Sequence, residues 1–383
     1  MDFQLTEEQH MLRDTLRQFA ENELKPKAEH YDRTHEFPME HIKKLGELGI
    51  MGVVYPEEYN GAGMDYVSYA IAVEEISRGD AATGTIVSAH NSLCLSPIYY
   101  FGSEEIKKKY LTKLTTGEWI GCFGITEPDA GSDAAGTKTT AEFKNGMWVL
   151  NGSKNFITNG GVAQVAVVTA VTDKGQGHKG LSMFLIEKGT PGFSVGKVED
   201  KLGICASSTT ELVFDNCAIP ESHMIGKRGE GFKIAMHTLD GGRVGIAAQA
   251  VGIAQAALDF VVPYAKERKQ FGKSISDFQA VQWMIADMAT EIQAARLLVY
   301  QAAELIGTGE RQRYSKYAAM AKLFASEMSH RVTHKAIQIL GGYGYVKDYP
   351  VERFYRDSRI TEIYEGTSEI QRLVIANNVL REY

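Results

Sequence analysis

One carboxylate in this chain stands where it could serve as a general base. The segment IYEGTSEIQ, Ile363 to Gln371, sets Glu365 beside Gly366 between two helical stretches. Its neighbours Ile363, Tyr364 and Gly366 predict partial burial, which raises a carboxyl from about 4.3 towards the range useful to a base. The commoner fate of a glutamate, a solvated turn residue, stays open at this point. Ser368 and Gln371 form an S-x-x-Q capping box, so a helix starts here with its positive end exposed to any nearby anion.

A second segment, FGITEPDAGSD from Phe123 to Asp133, combines small residues, hydroxyls and a proline-fixed turn at a change of texture in the chain. It can present backbone amides to a ligand, or be an ordinary Asx/Gly turn. Two other patterns are set aside. Gly175, Gly177 and Gly180 spell G-x-G-x-x-G, but a dinucleotide fingerprint opens a helix, whereas the strand-like LSMFLIE follows here, so the glycines form a hairpin loop. Glu327, His330 and His334 share a helix face, but a helical di-iron site needs two Glu-x-x-His elements plus two more glutamates. The other such element, Glu7 with His10, lies at the far end of the chain. No metal is expected.

These segments need elements to carry them. Apolar residues recur at helical spacing from Thr6 to about Leu114, interrupted at Pro26, Pro38, Pro56 to Gly63 and Pro97. Short β-branched or alternating runs follow, at Trp148–Leu150, Val165–Val171, Met183–Ile186 and Leu212–Phe214. Asn-Gly pairs at Asn145, Asn151 and Asn159 are turn candidates, the first and last falling between strands. After Gly231 helical periodicity returns and ends, in its clearest run, at Gly341 and Gly342; Pro263 should kink or end the helix it falls in. The expected fold is α+β: an N-terminal helical domain (1–121), a central antiparallel β-domain (122–230) and a C-terminal helical domain (231–383).

Composition narrows the function. With 41 basic and 48 acidic residues the net charge is −7, and scattered cations argue against a nucleic-acid partner. Val244 to Val262 is the most apolar stretch, but Gln249, Gln255 and Asp259 interrupt it, so it reads as a buried helix and no membrane insertion is expected. Cys94, Cys122, Cys205 and Cys217 form no C-x-x-C pair and read as reduced thiols. The start MDFQLTEEQHMLRD has no signal-peptide core, so a cytoplasmic location is expected.

Taken in order, GITEPDAGSD (Gly124–Asp133), FITNGG (Phe156–Gly161), LDGGRVGIAAQA (Leu239–Ala250), ERKQFGKSISDFQ (Glu267–Gln279), QILGGYGY (Gln338–Tyr345) and YEGTSEIQ (Tyr364–Gln371) resemble the acyl-CoA dehydrogenase family over essentially the whole chain. The closest likeness is to its short-chain, butyryl-CoA-type bacterial members. The resemblance implies that the C-terminal domain is a four-helix-bundle domain, and it implies FAD and a homotetramer. Phe123, Ile125, Thr126, Gly131, Phe156, Ile157 and Thr158 would line the flavin, and Ser132 would touch both flavin and acyl-CoA. Arg268, Phe271, Gln279 and the run Gln338, Ile339, Leu340, Gly341, Gly342 would hold pyrophosphate and adenosine, in part from a neighbouring subunit. Thr367, Ser368 and Glu369 would close over FAD. Asp240, Arg243, Tyr364 and Gly366 would meet the substrate, although Arg243 could instead cap a helix.

The implied reaction removes the α-proton of an acyl thioester with Glu365 while the β-hydrogen leaves as hydride to the flavin, giving the trans-2-enoyl thioester. The Glu365 N–H and a flavin ribityl hydroxyl would hold the thioester carbonyl, where negative charge develops. Electrons would pass to an electron-transferring flavoprotein. Isovaleryl and long-chain relatives carry their base just before the residue here numbered Arg243, where this chain has Gly242. Glutaryl-type relatives have a pocket arginine near the position aligned with Gly84. Phe156 and Cys205 depart from the Trp and Arg common in relatives. Rival expectations are a branched-chain dehydrogenase or an oxidase of the same superfamily, and a non-catalytic partner protein that keeps the fold.

Overall fold

A computed structural model describes residues 4–308 and 311–382. The first helix, α1 (Glu7–Phe19), is fixed by a capping box: the Thr6 hydroxyl accepts from the Gln9 N–H while the Gln9 side chain accepts from the Thr6 N–H. It runs through a π turn (Ala20–Leu24) into α2 (Lys25–Thr34), and is followed by α3 (Met39–Glu47), α4 (Tyr66–Gly79) and α5 (Ala81–Ser88). A second π turn (Ala89–Leu95) leads into α6 (Ser96–Phe101), and the short turns α7 (Glu104–Ile106) and α8 (Thr112–Leu114) end the region.

Pro38 and the Pro56–Gly63 stretch do break helices. Pro26 and Pro97 do not. Each falls in the first turn after a π turn, where the hydrogen-bond register is resetting and a missing N–H costs least.

One sheet follows, from β1 (Gly121–Gly124), β2 (Thr140–Lys144), β3 (Met147–Thr158), β4 (Val165–Val171), β5 (Leu181–Glu187), β6 (Phe193–Val198), β7 (Thr209–Pro220) and β8 (Met224–Ile225). The spatial order is β6-β7-β3-β2-β4-β5-β8, with β1 lying parallel along β4 and most other pairs antiparallel. Asn145 and Gly146, both at positive φ, make the tight β2–β3 hairpin that the sequence suggests. The other two pairs behave differently. Asn151–Gly152 sits inside β3 at a register shift against β7, a bulge rather than a turn. Asn159 takes positive φ at the end of β3, but the chain then crosses to β4, which pairs with β1, β2 and β5 and not with β3. The rejected glycine motif joins antiparallel β4 and β5 as a hairpin loop.

The last part is helical again: α9 (Gly231–Glu267), a small ribbon of β9 (Lys269–Gln270) and β10 (Lys273–Ser274), then α10 (Gln279–Gly307), α11 (Arg311–Leu340), α12 (Val351–Arg359) and α13 (Ser368–Glu382). Helices α9, α10 and α11 pack on one another, α13 lies on α11, and α4 reaches across to α9 and α10. Pro263 neither ends nor relocates α9, which continues to Glu267. By length and composition α9 is the one helix among the described residues able to cross a membrane, but 78% of its apolar window is buried inside the protein. Its polar interruptions are all bonded: Gln249 donates to the Ala81 carbonyl and to Thr85, Gln255 donates to Asp259, and Arg78 donates to Asp259. A Cβ at Gly252 would lie 2.3 Å from the Glu74 carbonyl oxygen, so glycine there permits the close crossing of α9 over α4. All four cysteines are buried and free.

Candidate active site

Two neighbouring strands end at one cavity. Phe123 in β1, with Ile125 and Thr126 just beyond it, meets Phe156, Ile157 and Thr158 at the end of β3, and the Asn155 N–H donates to the Thr126 carbonyl at 2.8 Å. The intervening loop adds Gly131 and Ser132, α9 adds Arg243, and the turn before α13 adds Tyr364, Glu365 and Gly366 around roughly 290 Å³. Twelve of the residues singled out in the sequence are thus brought together, although they span positions 123 to 366.

The loop from 125 to 139 is held by a buried ion pair that sequence reading passed over. Lys154 and Glu127 are 0% and 5% exposed. The Lys154 ammonium donates to Glu127 at 2.7 Å, to Thr169 at 3.2 Å and to the Ile125 carbonyl at 3.3 Å, while Glu127 accepts from the N–H groups of Lys138 and Thr139. Burial pulls Lys154 down to about 8. Burial alone would raise Glu127, but Lys154 and the backbone donors outweigh it and hold the carboxyl below its ordinary value. The signal lay in alternation: Lys154 is in phase with Trp148 and Leu150, which are buried on the same strand.

Glu365 is only half-buried as a residue, yet its Oε2 is buried without a hydrogen-bond partner. Burial pushes the carboxyl up to about 8, against the opposing pull of Lys322 and Arg243. The backbone is strained to put it there: Glu365 has φ 52° and Gly366 follows at φ 95°. Gln371 Nε2 donates to the carbonyls of both residues, at 3.1 and 2.8 Å. The helix begins one residue earlier than the motif suggested. Ser368 is its first residue, and the Thr367 hydroxyl accepts from the Ile370 N–H, which frees Gln371 to hold the turn.

Arg243 lies in the middle of α9, so it caps no helix. It donates to Asp240 at 2.6 Å, both side chains are buried, and Asp240 also accepts from Ser315, so Asp240 stands behind the cavity wall rather than in it. A Cβ on Gly242 would lie 1.9 Å from Glu365 Oε2: the carboxylate occupies the room that a side chain from 242 would need. Gly84, by contrast, faces α4, where a Cβ would meet Ser77 Oγ at 2.0 Å; the cavity-facing neighbour is Thr85. Tyr364 donates its hydroxyl to Gln249, which in turn donates to Thr85, so a fully bonded polar belt backs this wall.

A second, more open cleft contains Arg268, Ile339, Leu340, Gly341 and Gly342, with the Arg268 guanidinium over the Tyr343 ring. Gln279 and Gln338 are exposed and line neither space, and Phe271 is 93% exposed on its ribbon. Thr367, Ser368 and Glu369 also stand outside both. Phe156 projects at the first cavity with φ 59°. Cys205 lies elsewhere, beside Asp32, which Arg356 grips with two hydrogen bonds. Glu327 pairs with Arg372, and His330 and His334 lie against Tyr355.

Comparisons with known proteins point to one family. Models of the acyl-CoA dehydrogenase N-terminal, middle and C-terminal domains match residues 6–118, 122–217 and 229–380. The chain is 56% identical, over 100% of both proteins, to the short-chain specific acyl-CoA dehydrogenase of Clostridium acetobutylicum. Among solved structures, butyryl-CoA dehydrogenase from Megasphaera elsdenii superposes with TM-score 0.97 at 48% identity over 100% of both chains. A chain solved in work on the electron transferring flavoprotein of Acidaminococcus fermentans and flavin-based electron bifurcation gives 0.98 at 54%, again over 100% of both. The chain belongs to the acyl-CoA dehydrogenase family.

Proposed function

We propose that this protein oxidises short-chain acyl-CoA, of butyryl type, to the trans-2-enoyl-CoA, with FAD as its cofactor and an electron-transferring flavoprotein as its redox partner. The observation that carries the reading is the Glu365 Oε2, buried, without a hydrogen-bond partner and set at a largely apolar cavity.

The residues present fit the cofactor. Phe123, Ile125, Phe156 and Ile157 offer an apolar surface for a ring system, and Thr126, Ser132 and Thr158 offer hydroxyls in the same cavity. A Cβ at Gly131 would meet nothing within 4 Å, so this loop leaves open space for a ligand. Arg268 and Gly341–Gly342 would take the pyrophosphate end, where a guanidinium and small residues admit phosphate oxygens. Bound there, the flavin supplies the acceptor for the substrate's β-hydride.

The chain's own work is proton transfer and orientation. An α-carbon beside a thioester is a weak acid, so a carboxylate kept from water and unpaired is a stronger base than one in solution. Glu365 Oε2 has no competing donor and so takes the α-proton. The Glu365 N–H, in its left-handed turn, serves the thioester carbonyl where negative charge develops. Arg243 steadies the ionised carboxylate and the polar end of the acyl-CoA. The Tyr364–Gln249–Thr85 belt bounds the acyl end and supports a short chain, because a longer one would have to part bonded, buried groups.

The exposed Phe271 and Gln279, which line neither cavity of one chain, support a homotetramer in which neighbouring subunits complete the cofactor site. The same reading places the protein in the cytoplasm and divides the chain at 121/122 and 230/231. Anaerobic titration of the yellow protein with butyryl-CoA, octanoyl-CoA and isobutyryl-CoA tests it: bleaching of the flavin band should be strongest with butyryl-CoA. No bleaching by any thioester would refute the assigned chemistry.

A further inference from the structure

Behind the Glu365 turn lies a cation that proton transfer as described does not use. Lys322, on α11, is 0% exposed, and its ammonium donates to the Gly366 carbonyl oxygen at 2.7 Å. Its helical neighbours Ala318, Ala321, Ala325 and Ser329 are all buried, so a lysine has been placed on the core face of the helix. We infer that Lys322 is the positioning residue for the catalytic glutamate: it clamps the Glu365–Gly366 turn through the Gly366 carbonyl and supplies the buried positive charge against which the Glu365 carboxylate ionises. This rests on the reading of Glu365 as the base.

Two facts separate this role from mere packing. The turn already has a neutral clamp, since Gln371 holds both the Glu365 and Gly366 carbonyls. An ammonium adds little as a second donor, yet taking it out of water is expensive unless its charge is balanced. The charged groups that face it are Glu365 from the turn, Arg243 from α9, Glu362 from the turn preceding and Glu369 from α13. Of these acids Glu369 is exposed and Glu362 is bonded to Arg359, which leaves Glu365 as the unpartnered one. Burial pulls Lys322 down to about 8, while Glu365 pulls it the other way. When Glu365 is ionised the two charges offset each other; when it holds the substrate's proton, Lys322 favours the return to the anion.

The test is the pH profile of flavin reduction by butyryl-CoA, followed anaerobically by stopped flow on full-length, FAD-loaded protein from pH 6 to 10. Lys322→Met removes donor and charge, Lys322→Gln keeps a neutral donor, and Lys322→Arg keeps the charge. In the Met and Gln variants the acid limb should move up by roughly one unit or more, the size of shift a nearby opposite charge causes. About tenfold less reduction is then expected at pH 7, with bound FAD retained. The Arg variant should hold the limb near its wild-type position, and if Met does not fold, Gln and Arg carry the comparison. A Gln variant with an unmoved limb, or with a rate lowered by one factor at every pH, would overturn the inference and leave Lys322 a structural clamp. If instead Glu365→Gln reduces its flavin at the wild-type rate, the base assignment itself fails, and this inference with it.

Discussion

Replacing Glu365 by glutamine should move the stability difference in the variant's favour as the pH rises from 5 to 7.5, on top of a pH-independent cost of leaving the buried Lys322 without its counter-charge. The carboxyl sits at 4.5 in an ordinary setting and is pushed up to about 8 in the fold. Between those values the folded protein keeps a proton that the unfolded chain has released. Wild-type stability therefore falls as the pH rises through that window. At about 1.4 kcal/mol per unit, the penalty grows by roughly 3 kcal/mol between pH 5 and 7.5. Glutamine has nearly the same shape and polarity and carries none of it. For a chain of this size the melting difference should widen by about 3 to 4 °C.

The window closes near pH 8, where the folded Glu365 carboxyl itself titrates, and Lys322 titrates beside it. The lysine is pulled down from 10.5 to about 8, so the folded state releases its proton first and stability is recovered above pH 8. Thermal melts of both proteins at one fixed protein and FAD concentration would make the comparison, since bound cofactor and subunit assembly also set the midpoint. A melting difference that stays constant across the range, or a wild type that gains on the variant, would show that Glu365 is solvated and that its burial has been misread.

Three other outcomes follow from particular contacts. Lys154→Met leaves Glu127 buried without its cation, and should cost about 3 to 5 kcal/mol in denaturant unfolding and weaken FAD retention on dialysis. Equal stability and flavin content would show that the 125–139 loop does not depend on the pair. Gly242→Ala drives a methyl into the Glu365 carboxylate and should slow flavin reduction by about 100-fold with FAD binding intact. An unchanged stopped-flow rate would mean that the carboxylate works from elsewhere. Gln249→Ala opens the belt behind Tyr364, so the ratio of octanoyl-CoA to butyryl-CoA turnover should rise at least severalfold; a fixed ratio would place the end of the acyl pocket on other residues.

Much of the fold could be read from periodicity because the stretches are long and one-sided. The helix–sheet–helix order, the Asn145–Gly146 hairpin and the burial of α9 all follow from spacing and turn chemistry. The misreadings share a cause. The missing N–H alone suggests that Pro26 and Pro97 interrupt helices, but π turns accommodate them, and Pro263 does not end α9. Asn151–Gly152 has the composition of a hairpin turn and becomes a bulge because β7 pairs along the whole of β3. Pairing partners distant in sequence overrode local preference there.

The site was less legible than its motifs, and the reason is the way it is held. Short segments carry the residues that face the cavity, so Ile125, Thr126, Phe156 and Glu365 announce themselves. The groups that hold them do not: Lys322 is 43 residues from Glu365, and Lys154 is 27 from Glu127. Each is a lone lysine in phase with buried neighbours, which is visible in the sequence only if a charge on a core face is taken as a signal rather than an exception. A buried lysine must be balanced, and its partner is an acid or carbonyl that some other segment has to supply. Here both such lysines lead to the active site, one to the loop that carries Ser132 and the other to the turn that carries Glu365. The pattern that best locates the chemistry is therefore the cost of burying its supports.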